Sequence, residues 1–406
     1  MKQTTPTASW YQRAAVYVGI GINPASISLG GSLARILPWR PLLLVFLVGT
    51  GLLFGLILGQ GLASRRRQAP LAQRAADTFG SRYGAPLLNL MMAVGMVGWG
   101  GFHVGVSGAG IAGLLRALGL SWPGWVGTLL MITAVLVLSL LGITRWNALL
   151  WVTTSAALAL SVFTLVAVDA SLVFPEPAGP IALADYFWAI GTVIAYAILF
   201  SLRSADFSWD LSHDADVVKA AGLFAVTLMT AMIVGAILFN TTGDWNLAGI
   251  LANVRLAALG QTFLVVAVLS AALSSLHSGQ LALSSLTRLP QRVSLIAMSI
   301  VIFVLAAYRF DLQLLAFLDV VSALLPPSLV VMLVLPWFEA WEPDKERRHN
   351  VALWAWLLGA GAALVFKLQG ELAHVLVGAL VSLAVLGWGL RLWRPKPEVS
   401  GGGPAG

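Results

Sequence analysis

Gly19-Ile-Gly-Ile-Asn-Pro-Ala-Ser-Ile-Ser-Leu-Gly-Gly31 lies inside an apolar run long enough to cross a bilayer, yet it is dense in helix breakers. Pro24 has no backbone N–H and its ring clashes with the preceding turn, which predicts an opening between Ile20 and Asn23. Carbonyls freed in hydrocarbon need partners, so such a break survives only buried in protein or facing a wet cavity. Two readings follow. The break is a kink that shapes packing, or it is a discontinuous helix of the kind that holds ions and substrates at the midplane of transporters.

Working outward, the whole chain reads as membrane-embedded. It has 406 residues, 59% of them hydrophobic and only 10% charged, where soluble domains carry about 25% charged residues. There is no cysteine, which excludes disulfides and thiolate metal sites. A net charge of +7 could suggest nucleic acid. The basic residues instead sit mostly in short loops between apolar runs, which points to the lipid bilayer and away from nucleic acid. Residues 1–11 are mostly polar and lead straight into a span, so no cleavable signal peptide is expected.

A span needs about 20 apolar residues, and roughly twelve are readable by that criterion: 13–36, 41–62, 86–115, 123–142, 147–169, 183–203, 219–240, 258–287, 293–309, 313–337, 351–367 and 371–391. The expected fold class is an all-α polytopic membrane protein. With the N-terminus inside, eighteen of the 24 basic residues fall on the inner side, so both termini are expected in the cytoplasm, at the cell membrane. Spans one to five and six to ten contain equal, odd numbers of crossings. Two such halves in tandem must run oppositely through the membrane, which is the inverted-repeat arrangement. The expected organisation is a cytoplasmic segment 1–12, a ten-helix core 13–337 with a broken first helix, two peripheral helices with their preceding loop in 338–393, and a disordered tail 394–406.

Three stretches carry candidate chemistry. In Gly95-Met-Val-Gly-Trp-Gly-Gly-Phe-His-Val-Gly105, Trp99 and His103 are four apart and share a helix face. The surrounding glycines predict open space beside an indole able to stack on a flat ring, with an imidazole one turn away to hydrogen-bond it. The alternative is a Gly-lined helix contact around a packed Trp. In Ala271-Ala-Leu-Ser-Ser-Leu-His-Ser-Gly-Gln280, six of ten residues are Ser, His, Gly or Gln. Such a run needs an interior polar surface. Ser274 and Ser275 offer hard oxygen ligands suited to Na+, and His277 and Gln280 follow three apart. In span six, Tyr196 is a polar break, while Arg203 and Asp206 read first as a solvated helix end and otherwise as an Arg–Asp contact or an inner gate. Asp319, the one carboxylate well inside an apolar run, relays protons or pairs with a neighbour. His374 is expected simply to pack. No nucleophile motif, phosphate loop or His–carboxylate metal spacing supports catalysis, and no organic cofactor is expected.

Together these stretches resemble the nucleobase–cation symporter-1 family, near its cytosine- and purine-permease-like members, over most of residues 14–337. The resemblance is carried by Gly19…Gly30-Gly31, Leu71…Phe79-Gly80, Gly98-Trp99-Gly100-Gly101, Ser204-Ala205-Asp206-Phe207 and Ser322-Ala323-Leu-Leu-Pro326-Pro327. It implies the leucine-transporter type of fold, with two five-helix halves plus two peripheral helices. It implies a Na+ site from the carbonyls of Gly19, Ile22 and Ala271 and the hydroxyls of Ser274 and Ser275. It also implies Trp99 stacked on a heterocycle, with Asn23, His103 and Gln280 at the ring's polar edge and Tyr196 near a second aromatic wall; His277 completes the candidate substrate set. The family often has Asn at the position of Gln280, an amide or glycine at His103 and Trp at Tyr196. These departures leave the cation site credible and the substrate open among pyrimidines, purines, hydantoin-like rings and a thiamine-precursor pyrimidine. The expected function is Na+-coupled import of such a ring by a monomer that is not an enzyme; the alternative is proton coupling through Asp319, His103 or His277.

Overall fold

The backbone opens where Pro24 requires it. Helix α1 (Trp10–Gly21) stops, Ile22 and Asn23 leave the helix, and α2 (Pro24–Ala34) begins at the proline. Asn23 is extended (φ −153°, ψ 170°) and caps α2: its Oδ1 accepts from the N–H groups of Ala25 at 2.8 Å and Ser26 at 3.3 Å. The Asn23 N–H in turn donates to Ser26 Oγ at 3.0 Å, so two orphan donors are satisfied reciprocally. Proline at the first helical position loses only a donor that has no intrahelical partner. The computed structural model describes residues 10–141, 146–172, 180–287, 289–341, 344–370 and 373–391; the expected tail 394–406 lies outside them.

The remaining helices follow in order: α3 (Trp39–Arg67), α4 (Leu71–Phe79), α5 (Ala85–Ala117), α6 (Gly124–Leu140), α7 (Trp146–Ala167), α8 (Leu183–Ser208), α9 (Asp214–Thr242), α10 (Leu247–Ala252), α11 (Ala257–Thr287), α12 (Gln291–Ala307), α13 (Leu314–Leu324), α14 (Pro326–Val334), α15 (Lys345–Leu368) and α16 (His374–Arg391). Among the described residues, eight helices are long and apolar enough to cross a membrane, three shorter apolar ones accompany them, and the α1–α2 pair makes the twelfth crossing. The chain is a multi-pass, all-α membrane protein. Several boundaries differ from expectation, three of them with consequences for the fold. A helix, α4, fills much of the expected loop 62–85 and joins α5 through the wide turn Gly80–Gly84. The tenth span divides at Pro326, into α13 and α14. Helix α8 runs on to Ser208, past the expected end at 203, which carries Arg203 into the protein.

Helix pairing has the symmetry of two five-span halves. The broken first span packs on α9, the seventh, and α8, the sixth, packs on α3, the second; exchanging the halves turns one pairing into the other. Helices α5 and α11, the third and eighth spans, face each other along an extensive contact. Helix α2 is buried from Pro24 to Leu33. It meets α9 backbone to backbone: a Cβ on Gly30 would lie 2.0 Å from the Met232 carbonyl oxygen, and one on Gly235 would lie 1.8 Å from that of Ile27. Small residues at membrane helix contacts permit that approach. Helices α15 and α16 pair with each other and lean on α13 and α14. Asp319 is held there, with Lys367 Nζ at 3.1 Å and His374 Nε2 at 3.6 Å. His374 is also 2.8 Å from Ser322 Oγ, so the imidazole expected only to pack joins a polar cluster.

Candidate functional site

Two adjoining cavities meet beside the break. The larger, about 480 Å³, lies among the start of α1, the start of α4 and the ends of α8 and α11, at the end of the bundle where α1 begins. Gly19, Arg203, Asp206, Ser274 and His277 are among its lining residues. The smaller, about 50 Å³, is walled by Asn23, Trp99, His103, Tyr196 and Ser275. Ile20, Arg203, Ala271 and Ser274 line both and form the divide.

The carbonyls freed by the break are taken up within the protein. Ile20 O accepts from Asn23 Nδ2 at 2.8 Å and from the Tyr196 hydroxyl at 2.9 Å, and Gly19 O accepts from Asn23 Nδ2 at 3.3 Å. Asn23 Nδ2 also donates to Tyr196 Oη at 2.9 Å. The Asn23 amide, expected at a substrate edge, is thus spent on holding the opened backbone and the α8 tyrosine in register.

Trp99 sits in an aromatic box. His103 stacks on it (centroids 5.4 Å apart, planes 19°), while Tyr196 (5.2 Å, 85°) and Phe317 of α13 (5.6 Å, 90°) stand edge-on. Edge-to-face and offset arrangements suit the ring quadrupoles. The open space expected from the glycines is occupied. Leu199 packs against Gly95, Phe317 against Gly98, Ile302 against Gly100, and Leu305 against Gly101. Small residues here admit neighbours to the helix axis, and the small cavity lies beyond them. His103 Nδ1 is 3.5 Å from Ser275 Oγ, a long contact, and its Nε2 is buried with no hydrogen-bond partner among the described residues.

On α11 the two serines part company. Ser274 Oγ accepts from Arg203 Nη1 at 3.3 Å. Ser275 Oγ donates to its own helix at Ala271 O, 2.9 Å, and faces the smaller cavity. Gly19 instead has Thr154 Oγ1 of α7 at 3.1 Å and Ser270 Oγ at 4.0 Å from where its Cβ would stand. Thr154 Oγ1 is buried with no partner among the described residues. Of the residues named from sequence, Gly19, Ala271, Ser274 and His277 line the larger cavity, and Asn23, Trp99, His103, Tyr196, Ala271, Ser274 and Ser275 line the smaller. Ile22 and Gln280 are buried but line neither.

Sequence reasoning misplaced one residue and missed two. Arg203, taken as a helix end in solvent, has a side chain only 10% exposed. Its Nε is 4.0 Å from Asp206 Oδ2 and its Cζ lies 4.9 Å over the Phe207 ring. Asp206 Oδ1 accepts the Leu71 N–H at 2.8 Å, tying α8 to the first turn of α4. Ser270, one turn before Ser274 on the same face, was legible from spacing. Thr154 carried no local signal.

No protein-family model and no curated protein sequence matches the chain. Solved structures do. The chain is similar to Mhp1, a nucleobase-cation-symport-1 family transporter, in a closed conformation with bromovinylhydantoin bound: TM-score 0.72 at 16% identity, over 96% of this chain and 94% of that one. Against the inward-facing conformation of Mhp1 the TM-score is 0.75 at 16% identity, over 97% and 93% of the two chains. A Na+-coupled sialic acid symporter in a substrate-bound outward-open state matches with TM-score 0.62 at 10% identity, over 97% and 93%. These neighbours are membrane transporters, not enzymes. At such identities the likeness is one of fold, and in fold this chain is built as a nucleobase-cation-symport-1 transporter is built.

Proposed function

We propose that the chain is a secondary active transporter that imports a small planar nitrogenous heterocycle, a nucleobase or a related pyrimidine or hydantoin, by alternating access. The observation that carries this reading is the aromatic chamber of Trp99, His103 and Tyr196, set against the broken first span and joined to a cavity at one end of the bundle. A flat ring enters by the larger cavity and reaches the indole through the divide, with His103 Nε2 available to bond its edge. In the cavity described here, Gln280 lies off that path and Asn23 acts on it through Tyr196.

The driving ion of this proposal is Na+, bound between the α1 carbonyls and the α11 hydroxyls of the set Gly19, Ile22, Ala271, Ser274 and Ser275. Ser274 lies on the divide with Ala271, and Ser270 and Thr154 add oxygens beside Gly19. For Na+ to take Ser274, the hydroxyl must leave Arg203, which makes ion binding part of a movement of α8 against α11. Uptake into proteoliposomes of the purified protein, with separate Na+ and pH gradients, tests the proposal. Expected are accumulation under the Na+ gradient, loss of Na+ dependence in Ser275→Ala, and loss of uptake in Trp99→Ala. Unchanged uptake in both variants refutes the site, and accumulation under the pH gradient alone moves the coupling to protons.

A further inference from the structure

Among the described residues, Arg203 is the only charged side chain that lines both cavities, and no Asp, Glu or Lys lines the smaller one. A guanidinium withdrawn this far from water needs an anionic complement. What it has is incomplete. Nη1 donates to a neutral hydroxyl, Ser274 Oγ, at 3.3 Å. The nearest carboxylate oxygen, Asp206 Oδ2, stands 4.0 Å from Nε, beyond hydrogen-bond reach. The other oxygen of Asp206 is committed to Leu71 N–H. Nη2 forms no hydrogen bond among the described residues. The second arginine on the larger cavity, Arg13, is already paired with Asp210 at 2.5 Å. Asp206 thus balances the charge of Arg203 without filling its hydrogen bonds, and the guanidinium keeps N–H groups open at the divide, where Arg203 lines both cavities together with Ser274.

We propose that Arg203 recognises a carboxylate on the transported ring, so that the substrate is a planar heterocyclic acid and not a neutral base. This rests on the heterocycle transport proposed above and narrows its substrate class. A guanidinium presents parallel N–H groups that match a carboxylate's two oxygens, a geometry lysine lacks. The ring lies toward Trp99 and His103 while the carboxylate stays at the divide.

The test uses the full chain purified in detergent and two matched probe pairs, uracil with uracil-6-carboxylate and nicotinamide with nicotinate. Acetate and chloride serve as bare anions. Binding is read by thermal shift and by radioligand competition in wild type, Arg203→Gln and Arg203→Lys. In at least one pair the acid binds about tenfold or more tightly than its neutral partner, the magnitude of a charge-assisted contact. Arg203→Gln removes that preference, and Arg203→Lys retains part of it. If the glutamine variant does not fold, the wild-type preference and the lysine variant decide. Neutral rings that bind as well as or better than their acids overturn this proposal and leave heterocycle transport standing. A preference that survives in Arg203→Gln overturns it too, as do acetate or chloride shifts equal to those of the ring acids. If no member of either pair binds, this proposal is overturned, and heterocycle transport stands or falls with the proteoliposome uptake above.

Discussion

The carbonyl oxygen of Ile20 receives two hydrogen bonds from side chains 3 and 176 residues away, and the broken span depends on both. Tyr196→Phe removes the hydroxyl that joins Ile20 to Asn23 across α1 and α8. The expected cost is about 1–2 kcal/mol, since a buried acceptor loses a partner. Thermal unfolding in detergent measures it, with Tyr186→Phe as a comparison site outside the cavity lining. Asn23→Ala is expected to cost more, about 2 kcal/mol or above, because the cap of α2 and both carbonyl contacts vanish together. The break at Pro24 was legible in the sequence because proline acts within one helical turn. That Asn23 would turn its amide onto its own backbone was not, since the choice depends on Tyr196 arriving from another helix. Arg203 was misplaced for a related reason: hydropathy ends a span at the first charge, whereas the helix continued to Ser208 and packed the charge inward.

Helices α2 and α9 make their contact through glycine. Gly235→Ala places a methyl group where Ile27 O already lies, 1.8 Å away, so the helices must separate. Overpacking of this kind costs about 1–3 kcal/mol, and the expected outcome is a lower melting temperature together with reduced uptake. Gly222, on the same helix α9, has nothing within 4 Å of its Cβ position. Gly222→Ala is expected to leave stability unchanged or raise it by up to about 1 kcal/mol, since alanine is the better helix former. A melting comparison of the two variants separates a close-approach glycine from an incidental one; equal effects would contradict the α2–α9 contact. Gly95, Gly98, Gly100 and Gly101 follow the same logic. Their sequence pattern announced that something approaches α5 closely, but a flat ligand and the side chains of Leu199, Phe317 and Ile302 leave the same local signature.

Across the bundle, the larger cavity lies at one end and the aromatic box of Trp99, His103, Tyr196 and Phe317 stands on the other side of the divide. The chain has no cysteine, so single-cysteine variants are clean reporters. With the N-terminus inside, Ala72→Cys and Ser285→Cys are expected to react with a membrane-impermeant maleimide only from the cytoplasmic face, and Leu312→Cys only from outside. The reverse pattern would invert the orientation drawn from the basic residues. Asp319 pairs with Lys367 and His374 between the tenth span and the last two helices, and it lines neither cavity. Asp319→Asn is therefore expected to lower thermal stability while the pH profile of uptake stays unchanged. A flattened profile would instead place a proton relay there.

Composition, the number of apolar runs and the proline in the first of them were enough for a twelve-crossing α-helical bundle with an opened first helix. Those properties are local or additive along the chain: hydrocarbon excludes charge, crossings have a fixed length, and proline removes a specific bond. The division of labour inside the bundle was beyond that reach. The pairing of Arg203 with Ser274, the turning of Ser275 toward Ala271 and His103, and the appearance of Thr154 beside Gly19 join residues from five different spans. Which polar groups meet depends on the rotation and depth of each helix, and these are set by packing against neighbours far away in the chain.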